Sequence, residues 1–427
     1  MTPDQRGRIL MLSLHGYVSA EPEFGLPDTG GQVVFVLELA QRFAEAGFEV
    51  DIVTRRFEDQ PESDDISERL RIWRIPFGGR EFIRKEDMHD HLDEFVSRFT
   101  AAVRDKGIDY RWVSSHYWDA GYAGQRIAAT FNLPHVHTPH SLGSWKRANT
   151  PGDPEELERL YRFGERILTE SETLQRSDAV VATTRQQSRL IISDYDVPAD
   201  RVFTIPPGID EDRYTPVTAR ERLALRDRLG FGPSDVYTVG RAADNKGYDL
   251  LIRALPELRR QVPDARLQLA VGAGSEADEE RISQWKALAK ELGVAEHVNW
   301  LGHIEDDYMA DYYRAAPVFA LPSRYEPFGM TAVEAMACGT PTVVTIHGGL
   351  EESLDFGRHA LIADPERPRE YAVVLSLPLR YRGVRERLSS EGAAIARSEF
   401  GWDSVAARTL DVFRLAESNH RELVHSS

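Results

Sequence analysis

The chain has 427 residues, with 52 Lys plus Arg against 69 Asp plus Glu and a formal charge of −17. Such a surface repels a phosphate backbone, which sets aside a nucleic-acid-coating protein. Hydrophobic residues at 41% and charged ones at 28% describe a folded globular chain, and no apolar run reaches the ~18–20 residues of a membrane span. The single cysteine, Cys338, forms no intrachain disulfide and reads as a small core residue late in an apolar helix. That fits a reducing compartment, and the first residues lack the basic start and apolar stretch of a secretory signal, so a cytoplasmic location is expected. Only six of the 52 basic residues are lysine: Lys85, Lys106, Lys146, Lys246, Lys286 and Lys290.

Arg8 to Leu14 is a short apolar run typical of a strand buried on both faces. Val33, Val36, Leu37, Ala40, Phe43 and Ala44 follow at helical spacing, with Gly47 as C-cap, and Phe48 to Val53 is the next strand. Strand and helix then alternate. Asp178–Thr183 precedes a polar helix, Tyr237–Val239 precedes Tyr248–Leu258, Arg266–Val271 precedes Glu279–Leu292, and Val318–Leu321 precedes Thr331–Ala337. The acidic patch at 58–65 reads as a solvated loop. This alternation predicts an α/β chain with parallel sheets covered on both sides, and the length calls for two doubly wound domains. Ile205-Pro206-Pro207-Gly208-Ile209-Asp210 ends a strand and starts a link, so the domains are expected at 1–212 and 213–399. A C-terminal helix at about 400–420 packs back on the first domain in this reading.

Asp28-Thr29-Gly30-Gly31-Gln32 lies between a strand end and a helix start, where backbone N–H groups favour phosphate or sugar. His135, His137 and His140, with His116 upstream, look at first like metal ligands, but Pro134 and Pro139 bracket them and no carboxylate cluster completes a set. Packing or substrate contact is the expected role, and no metal is expected. Asp194-x-Asp196 and Asp210-x-Asp212 fit a metal-binding triplet that arises by chance in a chain this acidic. Gly240 to Gly247 follows a strand and carries Arg241 and Lys246, a guanidinium and an ammonium that, converging from one loop, would neutralise a diphosphate as it departs. Gly272-Ala273-Gly274-Ser275-Glu276-Ala277 matches the dinucleotide pattern, which keeps an NAD-dependent oxidoreductase open, yet the acidic ribose-binding residue is not clearly placed.

The most informative stretch runs from Ser323 to Glu334. Pro327 and Gly329 keep Glu326 outside a helix that starts near Met330, so Glu326 and Glu334 stand about 12 Å apart in helical rise. A retaining glycosidase needs its carboxyls about 5–5.5 Å apart. The spacing suits two carboxylates gripping the two ends of one long polyhydroxy ligand, with the helix N-terminus facing its phosphates.

Taken together, DTGGQVVFVLELA, HTPHSLG, IPPGID, GRAADNKG and RYEPFGMTAVEAMACGTPTVV, with its E-x7-E signature, resemble the retaining glycosyltransferases of family 4. The resemblance implies a GT-B fold, two Rossmann-like domains facing a cleft. IPFGGREFIRKEDM, SHYWDAG and HSLGSWKR are most similar to the sucrose-phosphate synthase and mannosylfructose-phosphate synthase group. His347-Gly348-Gly349-Leu350-Glu351-Glu352 departs from the GGP wording of the former and is more like the latter, so UDP-glucose and GDP-mannose are both open as donors.

The resemblance implies catalytic roles for His140, Arg241, Lys246 and Glu326. It implies donor binding by Gly31, Arg241, Lys246, His303, Ile304, Glu326, Phe328, Gly329, Met330 and Glu334. Fructose 6-phosphate would lie against Gly30, Gln32, Lys85, His116, Tyr117, Lys146 and Arg166. The expected reaction is hexosyl transfer to the anomeric hydroxyl of fructose 6-phosphate, sucrose-phosphate synthase type from UDP-glucose, or the mannosyl analogue from GDP-mannose. The chemistry is expected to need no cofactor and no metal. A metal hydrolase and a non-catalytic sugar-nucleotide sensor stand as more distant readings.

Overall fold

Runs of Val, Ile and Leu between turn residues fold as strands buried on both faces, each followed by a helix whose apolar stripe covers the sheet. The computed structural model describes residues 7–20, 31–150, 152–326 and 328–426, and it divides into two units. The first comprises residues 1–207 and 402–427, the second 208–401. The division follows Pro207, a few residues ahead of the boundary expected at 212.

Unit 1 contains β1 (Arg8–Leu12), α1 (Gly31–Glu45), β2 (Glu49–Arg56), β3 (Ser63–Ser67), β4 (Leu70–Pro76), α2 (Leu92–Lys106), β5 (Trp112–His116) and α3 (Trp118–Phe131). It continues with β6 (His135–Thr138), α4 (Gly143–Asn149), α5 (Pro154–Tyr161), α6 (Phe163–Arg176), β7 (Ala179–Ala182), α7 (Arg185–Asp194) and β8 (Val202–Thr204). The described strands form an eight-stranded sheet in the order β3-β4-β2-β1-β5-β6-β7-β8. All its pairings are parallel except β3 with β4. The order of the strands along the chain reverses between β1 and β5, the place where doubly wound sheets commonly take a ligand.

β3 corrects the reading of 58–65 as a loop. Ser63 to Ser67 pair antiparallel with β4 as an edge strand of alternating exposure, and Asp64 meets Arg74 at 2.6 Å. An edge strand with only one neighbour tolerates charge that a buried parallel strand does not.

Unit 2 contains α8 (Ala219–Leu229), β9 (Asp235–Arg241), α9 (Tyr248–Gln261), β10 (Arg266–Gly272), α10 (Glu276–Glu291), β11 (Val298–Trp300) and α11 (Asp306–Ala315). β12 (Val318–Leu321), α12 (Met330–Ala337), β13 (Thr342–Thr345), β14 (Leu361–Ala363), α13 (Pro368–Arg380) and α14 (Arg382–Phe400) complete it. Its described strands form a parallel sheet in the order β11-β10-β9-β12-β13-β14. Counted within the unit this is the 3-2-1-4-5-6 order of dinucleotide-binding sheets, with its reversal between β9 and β12.

The last described helix, α15 (Trp402–Ser426), belongs to unit 1. Phe413 lies 5.6 Å from the ring of Phe43 and 5.4 Å from that of Trp112, and Trp402 lies 5.4 Å from Phe35. Ion pairs Arg42–Asp403 at 3.0 Å and Arg111–Glu417 at 2.8 Å flank this apolar seam. Among the described residues no helix is long and apolar enough to cross a membrane. Truncating the fully buried Phe413 to Ala is expected to cost about 3–5 kcal/mol, read as a lowered urea midpoint for unfolding of the full chain.

Candidate functional site

In unit 2 the loop after β9 and the loop after β12 leave neighbouring strand ends and meet. Lys246 Nζ donates to Glu326 Oε2 at 2.6 Å, and Ser323 Oγ donates to the same oxygen at 3.2 Å. The backbones lock together beside this pair: Arg324 N donates to the Asn245 carbonyl at 2.8 Å, and Asn245 Nδ2 to the Tyr325 carbonyl at 3.2 Å. Arg324 also holds Asp249 bidentately at 2.7 and 2.8 Å. Gly247 has φ +68°, and a Cβ there would stand 1.9 Å from the Pro322 carbonyl oxygen, so no side chain fits between the loops.

Glu326 is 8% exposed and continues toward β13, its N–H donating to His347 O at 3.1 Å and its carbonyl accepting from Gly349 N at 3.2 Å. Gly329, at φ +108°, then turns the chain into α12, whose first N–H groups have no carbonyl within the helix to bond. Phe328 is buried and Met330 half-buried at this start. Glu334, one helical face along, is half-buried and accepts from Tyr313 Oη at 2.7 Å. Burial pushes its carboxyl above the ordinary range, against the Tyr313 hydrogen bond and Arg213, which draw it down. Arg241 ends β9 with an exposed guanidinium that forms no ion pair among the described residues. Exposed His303 and buried Ile304 lie beside the end of β10, with Gly272 facing the His303 ring.

In unit 1 the residues at the ends of β1, β5 and β6 converge. Gln32 Nε2 in α1 reaches Ser13 Oγ at 3.3 Å and the His116 carbonyl at 3.4 Å, bridging the ends of β1 and β5. The His116 and His140 rings share a hydrogen bond at 3.1 Å. Tyr117 at φ 78° and His140 at φ 56° both take left-handed backbone, a strain of about 1–3 kcal/mol each that such sites concentrate. Gly31 is the exposed first residue of α1, and Gly30 lies outside the described residues.

Arg166 is 4% exposed and donates to Glu170 at 2.7 Å, to Tyr117 Oη at 2.9 Å and to Ser141 Oγ at 2.9 Å. It therefore stiffens the wall behind Tyr117. Lys146 in α4 lies 4.9 Å over the Tyr161 ring, and Lys85 opens a short 3-10 helix beside Glu86 at 3.7 Å. Neither is brought against His116 by any described contact.

Two family models cover the chain: "Glycosyltransferase Family 4" matches residues 29–213 and "Glycosyl transferases group 1" residues 224–394. The chain is 47% identical over 410 residues to mannosylfructose-phosphate synthase of Agrobacterium fabrum, spanning 94% of this chain and 90% of that one. It belongs to the family 4 glycosyltransferases. A D-inositol 3-phosphate glycosyltransferase of Xylanimonas cellulosilytica is 37% identical over 425 residues, 97% of this chain and 98% of its relative. The solved sucrose-phosphate synthase of Thermosynechococcus elongatus matches with a TM-score of 0.75 and 28% identity, covering 99% of this chain and all of that one. The protein is thus a hexosyltransferase with the two Rossmann-like units of the GT-B class.

Within this glycosyltransferase the dinucleotide pattern at 272–277 does other work. It follows β10, away from the reversal, and Ser275 Oγ and the Asp278 carboxylate cap the start of α10, accepting from Asp278 N at 3.3 Å and Gly274 N at 3.1 Å. The next strand, β11, stops at Trp300, and Glu305 stands at the N-cap position of α11. Asp210 caps its own turn, accepting from Asp212 N and Arg213 N at 3.0 Å. His135 and His137 turn toward one serine, Ser115 Oγ, at 2.7 and 2.8 Å, as packed core histidines do. The cation-sized group found among the described residues, His347, Asp364 and Glu366, includes none of these histidines and adjoins Glu326 through the His347 carbonyl.

Sequence reasoning missed Ser323, Tyr313 and the His15–Asp119 pair at 3.0 Å. Ser323 lies only three residues before Glu326 and carried a local signal. Tyr313 and Asp119 reach their partners through the fold alone.

Burial holds His135 down to about 3 and, with His140 and His137 as neighbours, holds His116 well below the ordinary range. These rings are neutral when folded but take a proton near pH 6.5 when unfolded. Stability is therefore unaffected above pH 6.5 and falls as pH drops toward 3, by up to about 1.4 kcal/mol per pH unit for each ring. Urea midpoints at pH 7, 6 and 5 should decline, and His135→Asn should flatten the decline. A pH-independent midpoint would contradict this account.

Proposed function

We propose that this glycosyltransferase moves a hexosyl group from a nucleoside diphosphate hexose to the anomeric hydroxyl of fructose 6-phosphate, with retention at the donor carbon. The observation that carries the reading is the Lys246–Glu326 contact at 2.6 Å, at the reversal point of the unit 2 sheet and ahead of α12. A carboxylate for sugar hydroxyls, an ammonium for phosphate and a helix N-terminus there make one donor site.

In this reading Arg241 and Lys246 bind the diphosphate, Glu326 and the backbone of Phe328, Gly329 and Met330 bind the hexose, and Glu334 binds the ribose. His303 and Ile304 meet the base. Unit 1 receives the acceptor at Gly30, Gln32, Lys85, His116, Tyr117 and Lys146, with Arg166 fixing Tyr117. His140, uncharged at neutral pH because burial holds it to about 3, offers the hexose a hydrogen bond in place of a charge.

No side-chain nucleophile is required. The bond from the anomeric carbon to the diphosphate oxygen breaks while the acceptor oxygen bonds to the same face, and the departing diphosphate takes the acceptor's proton. Positive charge from Arg241 and Lys246, and the dipole of α12, lower the barrier by stabilising the leaving group. We favour GDP-mannose as donor because identity reaches 47% with a mannosylfructose-phosphate synthase. UDP-glucose is the second reading, supported by the full-length likeness to a sucrose-phosphate synthase.

The test is incubation with fructose 6-phosphate and a panel of nucleotide sugars, identifying the disaccharide phosphate by mass and stereochemistry. One product, unaffected by chelators, is expected, and no product from any donor would sink the proposal. Lys246→Ala and Glu326→Ala should each lower kcat by about 100-fold or more while the circular dichroism spectrum is kept. Near-normal turnover in either would remove its assigned role.

A further inference from the structure

A cavity of about 710 Å3 opens in unit 2 at the opposite edge of the sheet from the Lys246 and Glu326 loops. Pro317 and Pro341, which precede β12 and β13, form its floor, and Arg222 and Arg226 of α8 and Arg385 and Ser389 of α14 stand around it. Three guanidiniums thus share one concavity in a chain whose net charge is −17.

None of the three is paired with a carboxylate among the described residues. Arg222 donates to the Arg314 carbonyl at 2.9 Å and to the Cys338 and Gly339 carbonyls at 3.2 Å, and Arg226 Nε donates to Ala315 O at 2.8 Å. These carbonyls close the C-terminal ends of α11 and α12, each worth roughly half a negative charge. Two half-charges stand against three whole ones. The guanidinium of Arg385 has no hydrogen-bond partner among the described residues. Glu386, on the rim, is occupied by Arg382 Nε at 2.6 Å. Asp235, the one carboxylate that acts on Arg226, is taken by Arg266 at 2.8 Å and Gln268 at 2.6 Å. Burial, then the charges of Arg222 and Arg385, bring the Arg226 guanidinium down to about 10.

Like charges gathered in a half-buried hollow repel one another, and an anion with several oxygens relieves that repulsion while matching the planar forks. The volume falls in the range of small-molecule sites, about 300–1,000 Å3. We propose that this cavity is a second ligand site, separate from the donor loops, and that it takes a small phosphate-bearing anion through Arg222, Arg226 and Arg385.

The experiment is calorimetric titration of the full chain with inorganic phosphate, pyrophosphate and fructose 6-phosphate, with GDP or UDP saturating the donor loops. Each titration is repeated on Arg385→Gln, on Arg226→Gln and on Lys246→Ala. The expected result is an anion-binding event that weakens as salt rises, falls at least about tenfold in Arg385→Gln and Arg226→Gln, and persists in Lys246→Ala. Whichever of the three anions shows the largest arginine-dependent component identifies the ligand as free phosphate, diphosphate or sugar phosphate. Arg385→Gln removes no hydrogen bond among the described residues, so its melting temperature should match the parent and keep the comparison interpretable. Absence of binding in the parent, or equal affinity in both arginine variants, would overturn the proposal. Because the readout is binding and not turnover, it stands or falls independently of the glycosyl-transfer reading.

Discussion

A lysine and a glutamate 80 residues apart in sequence touch because a parallel sheet sends every loop at one edge the same way. β9 and β12 are neighbours that run together, so the Lys246 loop and the Glu326 loop have no choice but to emerge side by side. Once there, a nearly buried carboxylate must be compensated, and Lys246 and Ser323 do this from two directions. Stripping one partner from such a partly buried pair leaves a charge that only solvent can compensate. The pair is therefore a constraint on the whole region: Gly247 must be glycine to let Pro322 close in, and Arg324 must turn away to Asp249 to leave the contact to Lys246.

The scarcity of lysine gains meaning against the structure. Lys85, Lys146 and Lys246 each sit with a specific neighbour, a carboxylate for the first and third and an aromatic face for the second. Arginine carries most of the remaining positive charge and is spent on forks and carbonyl caps, as its planar geometry favours. A strongly acidic average surface thus coexists with local basic hollows, and only the arrangement in space separates the two.

Much of the fold was legible because buried strands and amphipathic helices leave distinct periods, and β12 begins and ends at the residues read from its apolar run, Val318 and Leu321. β3 was not legible: Ser63-Asp64-Asp65 is polar, and its strand character comes from pairing with β4. The Glu326–Glu334 stretch was readable because proline and glycine punctuate it locally. The Arg166–Glu170 pair carries a local signal, the i,i+4 spacing of opposite charges on one helix, whereas Tyr195, which donates to Glu170, arrives from outside that helix and leaves no local trace. The glycine pattern after β10 misleads for a topological reason, since the same letters mean a phosphate turn only beside a reversal in strand order. Tyr313 reaches Glu334 from another helix, a tertiary fact with no local trace.

The return of α15 to unit 1 has a consequence for how the protein is made. Phe43 and Trp112, laid down early in synthesis, complete their packing only against Phe413, near the end of the chain. Unit 2 lies wholly between these partners in sequence, so the ribosome delivers it entire while the first sheet still lacks a covering helix. The first half to be translated is the second to be finished. In the interval the apolar seam that α15 will cover is open to solvent, the kind of surface through which partly folded chains associate.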